Sequence, residues 1–179
     1  MEPDRLVRVA GLGRIALRRA DITALVVDAI VNAANSHLAG GGGVDGAIHR
    51  AAGPDLMREL GERYQGCPTG SAVITGAGHL TARFVIHAVG PRWRDGRHDE
   101  PALLASAYRS AFVLAAEHAC ETVAAPSIST GIYGFPIDMA APIAINAANA
   151  ALNADATSLR EITFALFSDS DLEVFARAL

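Results

Sequence analysis

Hydrophobic and polar positions along the chain switch between two periods. Residues 5–19, RLVRVAGLGRIALRR, alternate around a Gly-containing turn and predict two short strands, and the apolar run at 29–33 predicts a buried strand. Farther on, Ile48, Ala51, Ala52, Leu56 and Leu60 recur at helical spacing on both sides of Gly53-Pro54. Proline disfavours helix in the residue before it, so this stretch predicts two short helices meeting at that break. Strand patterns return at 71–75 (SAVIT) and 83–90 (RFVIHAVG). Residues 101–119 are rich in Ala and Leu behind a proline suited to a first helical turn. A strand at 122–128, a helix at 138–152, a strand at 161–167 and a helix at 171–179 complete the series. Strands alternating with helices predict an α/β layered sheet.

That pattern fits one domain over 1–179, since a chain of 179 residues with 51% hydrophobic content can bury a substantial core. The polar stretch PRWRDGRHDE at 91–100 is short enough to be a surface loop. NAAN occurs at 32–35 and again at 146–149, but the second copy lies among alanines in a predicted helix and reads as a coincidence of composition. No apolar run reaches the roughly 18 residues of a membrane span, and MEPDRLVRVAG lacks a charged-then-apolar signal pattern. A cytoplasmic location with no membrane partner is expected. Cys67 and Cys120 stand without CxxC or Cys/His spacing, and the six histidines show no metal or triad spacing, so no metal is expected. A formal net charge of −4 argues against a nucleic-acid partner. It also means that an anionic ligand would be held by backbone N–H groups and helix N-termini rather than by Lys and Arg.

Two loops carry the candidate chemistry. The first, in VNAANSHLAGGGGVDGAIHRAAG, places four consecutive glycines between a strand and a helix and spells GxGxxG at Gly41, Gly43 and Gly46. A dinucleotide-binding Rossmann turn does not fit. The strand ends seven or eight residues before the first of these glycines, and Cys67 stands about where a second strand should end in an acidic residue. A P-loop fails as well, for want of Gly-Lys-Ser/Thr. Glycine tolerates positive φ and lets a ligand lie on bare backbone. The loop alone is therefore either a flexible surface segment or a seat for a pyrophosphate or sugar. The second loop, SISTGIYGFPID at 127–138, also follows a buried strand and precedes a helix. Ligands of open α/β sheets settle beyond the carboxyl ends of strands, so two such loops can close on a diphosphate from opposite sides.

Taken in order, ADIT at 20–23, VNAANSHLAGGGGVDGAIHRAAG, CPTGSAVIT, RFVIHAVGPRW and STGIYGFP resemble the macrodomain family, and its MacroD-type hydrolase branch in particular. The resemblance spans essentially the whole chain. It implies a three-layer α/β/α sandwich with a central mixed sheet that binds ADP-ribose without a cofactor. It also implies hydrolysis of ADP-ribose from acidic side chains of mono-ADP-ribosylated proteins and deacetylation of O-acetyl-ADP-ribose. The rival reading is a non-catalytic ADP-ribose reader, because fold alone does not separate the two.

Carried over by position, Asp21 resembles the adenine-reading aspartate, with the Ile22 backbone beside it. Its competing role is a helix N-cap. The family usually has Gly where this chain has Ala20. Phe167 matches an aromatic packed against the adenine face, although an aromatic ending a strand is more often core. Asn35 resembles the asparagine that binds the distal ribose, and Asn32 is expected to tie the loop to the scaffold. By the same resemblance Gly41, Gly42, Gly43 and Val44 would line the sugar and phosphate side. Asp45 matches the aspartate that orients or deprotonates water, or else caps the following helix. Ser129, Thr130, Gly131, Ile132 and Tyr133 would surround the diphosphate with backbone donors, or Ser129 and Thr130 only stabilise their turn. His49 is expected to orient its helix, while Arg50, Arg92 and Trp93 either touch the protein-side substrate or form ordinary surface.

Overall fold

The computed structural model describes residues 5–179, so the first four positions of the expected 1–179 domain lie outside the described residues. Strands β1 (Arg5–Ala10) and β2 (Gly13–Arg19) form the antiparallel hairpin expected from their alternation, in register from Arg5 opposite Arg18 to Ala10 opposite Gly13. β3 (Ala29–Ala34), α1 (Gly43–Ala52), α2 (Pro54–Arg63), β4 (Ala72–Gly76) and β5 (Phe84–Val89) follow. α3 (Glu100–Glu117), β6 (Thr122–Ala125), α4 (Ile137–Leu152), β7 (Glu161–Leu166) and α5 (Asp169–Ala178) complete the chain. The sheet order is β1-β2-β7-β6-β3-β5-β4. Its five inner strands are parallel and the two edge strands antiparallel, so the sheet is mixed.

Period-two alternation builds the three layers. In β3, Ala29 and Val31 enter the core shared with α3, α4 and α5, where Leu104, Tyr108, Phe112, Ile145 and Phe175 are buried. Ile30, on the opposite face, joins Ile48, Ala52 and Leu56 of α1 and α2. β5 repeats the division, with Ile86 and Ala88 on the first face and Val85 on the second. The sequence therefore sorts helices to both faces of the sheet, as strands buried on two sides require. Among the described residues no helix is long and apolar enough to cross a membrane.

Element ends differ from the sequence pattern for local reasons. β6 stops at Ala125 and not at 128. Beyond it, the Tyr108 hydroxyl donates to the Pro126 carbonyl at 2.8 Å and accepts from the Ile128 N–H at 2.8 Å, replacing strand pairing with side-chain bonds. α5 starts at Asp169, two residues earlier than its apolar pattern, because Ser168 caps it by accepting from the Asp171 N–H. A 3-10 turn at Ile22–Ala24 had no periodic signal and is set by Asp21 as its N-cap.

Candidate functional site

The order in which the chain adds strands to the sheet reverses between β3 and β6. From β3 the chain proceeds through α1 and α2 to β4 and β5 on one side; after α3 it returns to β6 and β7 on the other. β3 and β6 are parallel neighbours, so their carboxyl ends lie together and emit the two glycine loops side by side. Such a switch point leaves a crevice at the strand ends.

The first loop passes into α1 through Gly42, which caps the helix without a side-chain hydrogen bond. Gly43 and Val44 form the first turn, where backbone N–H groups lack intrahelical acceptors and the helix dipole favours an anion. A Cβ built on Gly42 or Gly43 meets no atom within 4 Å, so the backbone is open there. Asn35 braces this loop, its amide donating to the Gly40 carbonyl at 2.9 Å and accepting from the Ala39 N–H at 3.1 Å.

Asp45, in the first turn of α1, is buried with 7% exposure. Its Oδ1 accepts from Asn32 Nδ2 at 2.7 Å and lies 3.2 Å from His49 Nε2, one helical turn on. Its Oδ2 faces the glycine loop, 3.4 Å from where a Gly41 Cβ would stand. Burial pushes the Asp45 carboxyl up, but the hydrogen bonds from His49 and Asn32 and the charges of His49 and His87 outweigh it, holding it below the usual carboxylate range. Asp45 is thus an anion with one oxygen anchored and the other turned to the loop. Asn32 ties this anion to the sheet, a more specific connection than the loop-to-scaffold tie expected of it.

The second loop takes its shape from Ser129, whose φ of +68° lies in the left-handed region and whose Oγ is buried without a partner. The Phe135 N–H donates to the Ser129 carbonyl and the Gly134 N–H to the Gly131 carbonyl, both at 3.0 Å. Thr130 Oγ1 turns back to Ser127, so Ser129 and Thr130 do shape their own turn. Gly90, just past β5, lets this loop close in: a Cβ there would lie 2.2 Å from Ser129 Oγ and 2.4 Å from Ile128. Tyr133 is held from beneath, its carbonyl accepting from the Trp93 N–H at 2.8 Å and its ring lying 4.6 Å from the Arg92 guanidinium. Ile132 is exposed and Gly131 open.

At the far end, Ala20 donates its N–H to the Leu166 carbonyl, so the chain leading into Asp21 leaves β2 alongside the end of β7. Asp21 is exposed; its Oδ1 accepts from both the N–H and the hydroxyl of Thr23, at 2.9 and 2.7 Å, which lowers its pKa and leaves Oδ2 outside the cap. The Ile22 side chain is core, so it offers no side-chain contact to a ligand. Phe167 lies beyond β7 and is 94% exposed, an unusual state for a phenylalanine and unlike the core role its position suggests.

No motif in the sequence assigns a role to His87, Thr75 or Gly90. His87 is fully buried opposite Asn32 in the β3–β5 register, with Nδ1 3.2 Å from Asn32 Nδ2 and Nε2 3.0 Å from Thr75 Oγ1. His87, Thr75 and Gly90 all lie in the family-like segments CPTGSAVIT and RFVIHAVGPRW, and for His87 parity adds a signal: it shares a strand face with Val85, as Asn32 does with Ile30. Among the described residues one trio, Asp95, His98 and Glu100, has ligand atoms within 4.8 Å of one another. Glu100 is already engaged there by the N–H groups of Arg94, Asp95, Gly96 and His98, so the trio organises the 91–100 loop.

The Macro domain family profile matches residues 31–144. A macro domain-containing protein of Chlorobaculum tepidum is 58% identical over 164 residues, covering 90% of this chain and 92% of that protein. A Pantoea vagans protein named O-acetyl-ADP-ribose deacetylase 1 is 50% identical over 169 residues, covering 93% of this chain and 98% of its own length. Among solved structures, the Oceanobacillus iheyensis macrodomain with ADP superposes with a TM-score of 0.91 at 36% identity, covering 97% of this chain and 94% of that one. The Trypanosoma brucei macrodomain in complex with ADP-ribose gives 0.84 at 40% identity, over 91% and 68% of the two chains.

Proposed function

The chain belongs to the Macro domain family, and on that premise we propose that it binds ADP-ribose and hydrolyses acyl groups ester-linked to the distal ribose. The substrates are mono-ADP-ribose on acidic protein side chains and O-acetyl-ADP-ribose. In both, water cleaves an ester to give a carboxylic acid and a free sugar hydroxyl, so one water-positioning site serves either. The observation that carries this reading is Asp45: a buried anion with Oδ1 fixed by Asn32 and His49, and Oδ2 turned toward an open glycine loop. A carboxylate so placed orients water and accepts its proton as attack proceeds. The ordinary basicity of an Asp is low, so the ligand's own phosphate shares in positioning the water.

In this reading Asp21 Oδ2 accepts from the adenine amine, the Ile22 backbone lies beside the base and Phe167 stacks on it. The N–H groups of the α1 N-terminus and of Ser129–Tyr133 bind the diphosphate, and Asn35 bonds the distal ribose while bracing its loop. The relative named O-acetyl-ADP-ribose deacetylase and the neighbours holding ADP or ADP-ribose support the assignment. The whole chain acts as one domain in the cytoplasm, a setting compatible with two buried free cysteines, Cys67 and Cys120.

The experiment presents the protein with O-acetyl-ADP-ribose and with a transferase carrying Glu-linked mono-ADP-ribose, alongside calorimetry with free ADP-ribose. Binding near micromolar, about −8 kcal/mol, with release from both substrates is expected. Binding without release would make the protein a reader, and no binding would overturn both.

A further inference from the structure

Asn32 offers two N–H groups, and the structure gives each an acceptor. Asp45 Oδ1, an ionised carboxylate oxygen that only accepts, lies 2.7 Å from Asn32 Nδ2, so the amide presents its NH2 side to Asp45. The same Nδ2 lies 3.2 Å from His87 Nδ1, which must therefore accept. The single ring proton of neutral His87 then sits on Nε2, 3.0 Å from Thr75 Oγ1. The Thr75 hydroxyl donates onward to the Gly76 carbonyl at 2.8 Å, leaving its oxygen to accept from His87. The chain of bonds has one consistent direction, because reversing any link would set two donors or two acceptors face to face.

We propose that His87 is a positioning residue for hydrolysis: its Nδ1 acceptor holds the Asn32 amide with NH2 toward Asp45, which anchors Asp45 Oδ1 and turns Oδ2 to the glycine loop. This rests on the hydrolase reading above. The groups facing His87 are Asn32 from β3, Thr75 from β4, and Asp45 and His49 from α1, with the two imidazole rings 6.2 Å apart. Burial and the charge of His49 push His87 down to about 3 against the opposing pull of Asp45, so the ring stays neutral and its tautomer fixed at neutral pH. Asn32 Oδ1 is left buried without a partner. That unpaired acceptor is destabilising, and it follows from committing both amide protons to His87 and Asp45.

The first test is the long-range 1H–15N spectrum of histidine-labelled wild type. His87 should show the Nε2–H tautomer and no titration from about pH 5 to 8. An Nδ1–H tautomer, or protonation in that range, overturns the proposal. The second test compares His87→Leu, which lacks the acceptor, with His87→Asn, whose Oδ1 can stand in for Nδ1. With His87→Leu the Asp45 carboxyl, followed by 13C NMR, should titrate about one unit higher. Turnover of O-acetyl-ADP-ribose should fall by about 10- to 100-fold, with the acid limb of kcat moving up and the ADP-ribose Kd holding within about threefold. His87→Asn should recover most of both. Ile86→Val, on the other face of the same strand, controls for lost stability and should leave the Asp45 titration alone. Wild-type kcat and Asp45 titration in His87→Leu, or equal damage in both His87 variants, overturns the proposal. If wild type releases no product, the hydrolase reading fails while the tautomer and the Asp45 titration still decide the positioning role. If His87→Leu does not fold, the wild-type tautomer and the His87→Asn titration decide it.

Discussion

The two oxygens of Asp45 have different surroundings, and that difference separates catalysis from binding. Removing the carboxylate by Asp45→Ala should leave ADP-ribose affinity within about tenfold, ~1.4 kcal/mol. Single-turnover release should fall by about 10²–10⁴-fold, the usual worth of general-base assistance. Full turnover in that variant would move water activation to the substrate phosphate. Asn35→Ala should behave otherwise, losing affinity and turnover together, because its amide holds the loop at Ala39 and Gly40 in addition to its proposed bond to the ribose. Phe167 makes the cleanest contrast. At 94% exposure it contributes little to packing, so Phe167→Ala should keep the wild-type Tm. It should still weaken ADP-ribose binding by about 1–3 kcal/mol, the range for base–aromatic stacking. Calorimetry showing unchanged affinity would remove Phe167 from the adenine site.

Two glycines distinguish space that the protein leaves open from space that its own loop fills. Gly42 has an extended backbone, and a Cβ there meets nothing within 4 Å. Gly42→Ala should therefore change stability by less than about 1 kcal/mol. The added methyl would occupy the space above the α1 N-terminus, and ADP-ribose affinity should drop by about tenfold or more. Gly90→Ala reverses the pattern. Its Cβ would strike Ser129 Oγ and Ile128, so folding stability should fall by about 1–3 kcal/mol or more as the second loop is pushed off β5. Urea denaturation and calorimetry on the same pair read both halves. Equal stability losses would mean that the first loop is as tightly packed as the second.

Over the whole molecule, a net charge of −4 holding an anionic ligand predicts binding by backbone dipoles with weak salt dependence. Steep loss of affinity between low and moderate salt would point instead to side-chain cations. The buried histidine sets an acid limit on stability. His87 titrates near 3 in the native state and near its ordinary 6.5 when unfolded, so below 6.5 the unfolded chain takes up a proton that the native state refuses. Its contribution is complete above about 6.5 and is lost as pH falls toward 3, which amounts to about 2 kcal/mol between pH 7.5 and 5. His87→Asn should flatten that part of the stability curve in urea titrations. The chain by itself determined the elements, because period-two and helical spacing are local: the 5–19 hairpin, the helix break at Gly53-Pro54 and both glycine loops can be read from neighbouring residues. It also carried the family motifs, so Asp45 and Asn35 were legible as types. Tertiary structure alone decided what each residue faces. The order β7-β6-β3-β5 brings the two loops to one switch point, and the β3–β5 register sets Asn32 against His87. The end of β7 at Leu166 leaves Phe167 in solvent. Alternation along a strand gives the face a residue occupies but not its partner across the sheet, since that depends on strand order and register, which only contacts between distant segments fix.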